Sequence, residues 1–189
     1  VYKESETYLR GKSDILEGLE KGIFFKRSDG AIIAKLPWKE NNEAEANAEK
    51  VLLRADGTSI YLTQDIGTAL QRHEDWPFDR MVYVVASEQD YHFKSLFEIL
   101  AQLGHAWARQ LHHLSYGMVN LPEGRMKSRE GTVVDADNLL DELAADALSE
   151  IKAKERESEV GNASSTAENI ALGALHYFLL QATPSKDMI

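Results

Sequence analysis

Tyr61 and Asp65 stand four positions apart in SIYLTQDIGTAL, a phenol and a carboxylate that together suit a small cationic ligand. The surrounding stretch, residues 52–70, reads as a short extended run, a tight turn at Asp56-Gly57, a second run at Ser59–Leu62 and then a helix. Thr63 is an N-cap type, so the helix is expected to open there. That start leaves Tyr61 at the end of a strand and Asp65 in the first helical turn. Ligands of open α/β sheets bind outside the carboxyl ends of the strands, which is where these two side chains would lie. A carboxylate in a first helical turn is also what the helix dipole favours with no ligand at all, so position alone leaves both readings open. Gln89 and His92 follow at the mouth of another predicted helix, three residues apart and hence on one face. Further on, Arg125, Lys127 and Arg129 put three cations within five positions of a loop marked by Pro122, Gly124 and Gly131. By themselves these cations are equally those of an ordinary basic surface loop.

Elements that could position these groups are visible on either side. Tyr8, Ile15, Leu16 and Leu19 recur at helical spacing, and Gly22 is a C-cap candidate. IFFK and AIIAKL flank RSDG, a hairpin signal in which Asp-Gly tolerates a primed turn. KENNEAEANAEK, residues 39–50, is polar and acidic and is expected to be a solvated connection. MVYVVAS reads as a strand buried on both faces of a parallel sheet. Ser87 with Asp90 forms a capping-box-like start for a helix whose stripe is Phe93, Leu96, Phe97, Leu100 and Leu103, ended by Gly104. A third strand is expected over residues 111–119. On a strand His112 and His113 point to opposite faces, so they cannot share a metal. Asp135 or Asp137 can cap the next helix, with a stripe of Leu140, Leu143, Ala147, Leu148 and Ile151. Ser165 and Glu168 suggest a capping box before ENIALGALHYFLLQA, which is apolar on nearly every side and therefore expected to be buried.

Three of these stretches, YLTQDIGTA, VYVVASEQDYHFKSLFEIL and GMVNLPEGRMKSREGTVVD, resemble segments of arginyl-tRNA synthetases, in the same order. The resemblance implies a class I synthetase fold: α/β, with a doubly wound, Rossmann-like parallel sheet and flanking helices, preceded by a small helix plus β-hairpin insertion. It divides the chain into residues 1–50 (end of a connective insertion), 51–160 (second half of the catalytic domain) and 161–189 (a buried helix leading toward an anticodon-binding domain). It implies that Tyr61, Asp65 and Gln89 hold L-arginine. His92, Gly117, Met118, Val119, Arg125, Met126, Lys127 and Ser128 are implied to contact ATP, with Lys127 and Arg129 acting on its phosphates. The loop departs from the family's KMSKS pattern, since Ser128 stands where the second lysine belongs and Lys127 lies one place earlier. A HIGH-type motif is expected in the family, and none occurs here. With Val1 as first residue, the chain is expected to be an internal piece, inactive alone.

Composition is compatible with this. The 43% apolar fraction fits a globular chain, and 189 residues can bury roughly 70% of the unfolded surface. No basic region followed by an apolar stretch suggests a signal peptide. The lack of cysteine excludes disulfides and thiolate metal sites, and a cytoplasmic monomer is expected. A net charge of −10 argues against these residues being the main tRNA-gripping part, because affinity for phosphate backbones rests on Lys and Arg. The implied partners are L-arginine, ATP with Mg²⁺ and tRNA(Arg), with no tightly bound cofactor, metal site or membrane. Two other readings share parts of the pattern: a Rossmann-like nucleotidyltransferase with another acceptor, and a non-catalytic paralogue that binds arginine or nucleotide.

Overall fold

The computed structural model describes residues 2–39, 47–122, 124 and 133–189. The chain forms two compact units, Val1–Ser115 and Tyr116–Ile189, a division that does not coincide with the boundaries read from the sequence near residues 50 and 160.

The first unit opens with helix α1 (Glu4–Glu20). Gly22, at φ +73°, ends it: the Gly22 N–H donates to Leu19 O (3.1 Å) and the Ile23 N–H to Gly18 O (2.9 Å). This paired reversal needs a left-handed residue, which glycine supplies without strain. The buried face of α1 is Thr7, Gly11, Ile15 and Gly18, whereas Leu16, expected in the stripe, is exposed.

Strands β1 (Phe25–Lys26), β2 (Ile32–Lys39) and β3 (Asn47–Leu53) make an antiparallel sheet in that order. The hairpin is where RSDG predicts it, but its turn is not primed. Only Gly30 has positive φ, and the Arg27 N–H bonds to Ala31 O across a three-residue loop. Asn47–Lys50, expected in a solvated connection, are strand instead, because alternate positions such as Ala48 and Leu52 turn into the core.

Helix α2 (Tyr61–Asp75) follows, then β4 (Met81–Ala86), α3 (Asp90–Gln102) and β5 (Leu111–Tyr116). β4 and β5 are neighbours in a parallel two-stranded sheet, joined through α3, so this part is a β–α–β unit of an α/β fold. β4 is not buried on both faces. Tyr83 and Val85 pack on the core while Val82 and Val84 are 45% and 62% exposed, since among the described residues helix α3 covers one face only. β5 is shorter than expected and ends at Tyr116.

One core unites these elements. Ile15 of α1, Phe24, Leu36 of β2, Leu52 of β3, Ile66 of α2 and Leu96, Ile99 and Leu100 of α3 are all nearly inaccessible. Burying such side chains contributes about 1.5–3 kcal/mol each, so α1 and the antiparallel sheet are the base on which α2 and α3 rest.

In the second unit, α4 (Ala136–Ala153) is capped by Asp135, whose carboxylate accepts from the N–H groups of Asp137 (3.0 Å) and Asn138 (3.2 Å). α5 (Ala163–Leu180) begins earlier than Ser165, because Asn162 takes the cap by accepting the Ser165 N–H at 3.1 Å. The two helices pack against each other, and Leu139, Leu143, Leu175 and Phe178 line an open apolar cavity beside the contact. The expected burial of α5 is not met: only Ala167 and Ala171 are buried, and Tyr177 and Leu180 are 74% and 81% exposed. One apolar neighbour helix covers one side, and this helix is apolar all round. The segment after α5 returns to pair with residues 117–120, with Val119 bridging Met188 in parallel.

Candidate functional site

Helix α2 starts three residues before it was expected to. Ile60 occupies the N-cap position and cannot cap with its side chain. Thr63, three positions in, does half of that work, its hydroxyl accepting the Ile60 N–H at 3.1 Å and donating to Leu52 O at 2.5 Å. Thr63 is fully buried, so this hydroxyl ties the start of α2 to β3. Tyr61 is therefore the first helical residue rather than the end of a strand, and Asp65 lies in the second turn rather than the first. The four-residue spacing now places the phenol and the carboxylate on one helical face. Tyr61 is 78% exposed.

The axial position of that face is set by α1. Gly11 and Gly67 lie at the crossing of α1 and α2, where a Cβ on Gly11 would overlap Thr63 O and one on Gly67 would overlap Thr7 O. Only glycines permit the approach.

Asp65 meets α3. Its Oδ2 lies 2.7 Å from His92 Nε2, with 46% of the Asp65 side chain and 21% of the His92 side chain exposed. Ser87 does not cap α3. Ser87–Gln89 forms a short 3-10 turn, and Gln89 is the N-cap residue at φ −97°, ψ 5°, a sparsely populated backbone region frequent at active sites. Gln89 is exposed, three positions before His92. Asp90 pairs with His113 Nδ1 at 3.2 Å, and His113 Nε2 lies 2.9 Å from Val85 O, so β4 and β5 together fix the start of α3. His112 is exposed and His113 is largely buried, as opposite faces of a strand require.

Two further groups, not singled out from the sequence, flank this face. Arg72, eleven positions after Tyr61 on α2, lies over the Tyr83 ring at 5.8 Å. Burial pushes the Tyr83 phenol above its ordinary pKa, a push that the Arg72 charge opposes and Asp65 reinforces. The structure thus brings Asp65 and His92 into contact and sets Tyr61 and Gln89 at the starts of the two helices that carry them. His92, which the resemblance implied for ATP, touches Asp65. Its separation of 27 residues from Asp65 gave no signal in the sequence.

Gly117, Met118 and Val119 lie in the second unit. The Gly117 N–H donates to Pro184 O (2.7 Å), the Met118 N–H to Asp187 Oδ1 (2.8 Å), and Met118 O accepts the Met188 N–H (2.8 Å). A Cβ on Gly117 would overlap the Lys186 backbone, so glycine is required by this pairing. Arg125, Met126, Lys127, Ser128 and Arg129 lie outside the described residues. Among the described residues no three His, Asp or Glu side chains converge as a metal site, and no helix is long and apolar enough to cross a membrane.

The family model for tRNA synthetases class I (R), catalytic domain, matches residues 3–189. The chain belongs to the class I arginyl-tRNA synthetase family. It is 61% identical over its whole length to an arginine–tRNA ligase of Treponema denticola and 54% identical to one of Treponema pallidum. It spans 31% of the length of each of these relatives. Its fold is also that of solved arginyl-tRNA synthetases. The Thermus thermophilus enzyme matches 96% of this chain, with 36% of its own length, at a TM-score of 0.72 and 21% identity. The Plasmodium falciparum enzyme matches 97% of this chain, with 30% of its own, at 0.67 and 19%. At such identities the likeness is one of fold.

Proposed function

We propose that this chain supplies the amino-acid-selecting part of a synthetase that activates L-arginine with ATP and transfers the arginyl group to tRNA(Arg). Asp65 pairs with the guanidinium, and Tyr61 and Gln89 complete its hydrogen bonding. The observation that carries this reading is the half-exposed Asp65 carboxylate, one helical turn from an exposed phenol on the same face of α2. A planar guanidinium can take two parallel bonds from one carboxylate, and an ammonium cannot, so this geometry favours arginine over lysine. A site that must satisfy such polar groups can reject a mismatched analogue by up to about 10⁴-fold.

ATP enters as its Mg²⁺ complex. Residues 117–119 meet the nucleotide through atoms other than the Gly117 and Met118 N–H groups, which are engaged within the second unit. Arg125, Lys127, Ser128 and Arg129 act on the phosphates, and Met126 completes that loop. The setting is the cytoplasm, with the enzyme a monomer.

ATP–pyrophosphate exchange by the synthetase carrying this chain, assayed with each of the twenty amino acids without and with tRNA, tests the reading. Exchange with arginine alone is expected. Exchange with another amino acid would overturn the pocket assignment, and silence in both arms with ATP still bound would favour a non-catalytic binding module.

A further inference from the structure

The Asp65–His92 contact joins α2 and α3 at the carboxylate to which the proposed function assigns the guanidinium. We infer that His92 is a positioning residue for arginine recognition, holding the Asp65 carboxylate in the orientation that the guanidinium meets. The inference rests on the arginine reading of Asp65.

An aspartate at a half-exposed helical site is free to sample several rotamers, and a ligand that binds it must first restrict it. A second protein group that fixes the carboxylate beforehand removes that cost from binding. His92 is itself fixed. Its ring stands edge-on to Phe93 at 5.5 Å, and Phe93 is a core residue that also packs on His113 at 4.5 Å. His113 in turn holds Asp90 and Val85 O, so the orientation of Asp65 is tied through His92 to the β4–β5 sheet.

The residue type suits the task. With the proton on Nε2, the imidazole donates to the Oδ2 of the carboxylate, whose negative charge is what the ligand meets. A lysine or arginine in its place would cancel that charge and compete with the guanidinium. A carboxylate offers about four lone-pair sites, so one bond from His92 still leaves room for two parallel N–H donors.

Substitution of His92 in the synthetase carrying this chain separates a positioning role from a nucleotide contact. His92→Ala is expected to raise the arginine KM by about tenfold while the ATP KM and kcat stay within about twofold. His92→Gln carries an amide nitrogen near the Nε2 position and is expected to restore most of the arginine affinity, which a packing defect would not show. Asp65→Asn should raise the arginine KM by itself, and adding His92→Ala to it should change the arginine KM by less than about twofold, because coupled residues are not additive. An ATP KM that rises while the arginine KM stays constant would overturn the proposal and return His92 to the nucleotide. Independent, multiplying effects of the two substitutions would also overturn it. If Asp65→Asn leaves the arginine KM unchanged, the arginine reading fails first, and that result is distinct from a failure confined to His92.

Discussion

Asp29 in the first hairpin and Thr63 at the start of α2 show how single polar groups settle local geometry. The Asp29 carboxylate takes the Arg27 guanidinium (2.6 and 3.1 Å) and the Ala31 N–H (3.0 Å), which hold its pKa at about 2. A depressed folded pKa contributes stability that is present above the ordinary carboxylate range and is lost as pH falls through about 2. An NMR titration should show Asp29 ionised well below pH 4, and Arg27→Ala should move its midpoint back up. Thr63→Val should cost about 1–3 kcal/mol in a urea titration, because it strands the Leu52 carbonyl and the Ile60 N–H inside the fold. Thr63 was legible as a helix-start residue, but not as the N3 residue. Propensity marks its type, whereas the choice between N-cap and N3 depends on the Leu52 carbonyl eleven residues away. Asp65 was legible as a binding candidate by its partner Tyr61 four positions earlier. The pairing with His92 depends on how α2 and α3 cross, which no local pattern encodes.

At the scale of elements, α1, α2, α3 and the first hairpin follow from periodicity and glycine punctuation; Asn47–Lys50 and Tyr61 differ from expectation in type, and β4 and α5 in burial. β4 and α5 are apolar enough to be covered on all sides, and within the described residues each is covered on one. The crossing of α1 and α2 was illegible because glycines carry no hydrophobic signal, yet Gly11 and Gly67 set the separation of the helices. Gly67→Ala must push its Cβ into Thr7 O and should cost about 1–3 kcal/mol or more, read as a Tm drop of several degrees. Gly173→Ala in α5 meets nothing within 4 Å and should instead stabilise by about 0.5–1 kcal/mol. If both substitutions lowered Tm equally, the close crossing would not be the reason for Gly67.

At the scale of the whole chain, the α/β class and the family were both legible, because three motifs follow one another in order along the sequence, the second of them on the β4–α3–β5 unit. The first compact unit takes in α1 and the antiparallel sheet together with α2 and α3, which share one core despite their different composition. The net charge of −10 does not favour binding to a phosphate backbone, which rests on Lys and Arg. Asp65 is proposed to select arginine. That role is tested most directly by arginine-dependent ATP–pyrophosphate exchange with Asp65→Ala in the synthetase carrying this chain, measuring the arginine and ATP KM values separately. The arginine KM should rise by at least about tenfold, as loss of hydrogen bonds to a charged group requires, with the ATP KM nearly unchanged. An arginine KM equal to that of the unsubstituted enzyme would mean that Asp65 does not hold the guanidinium.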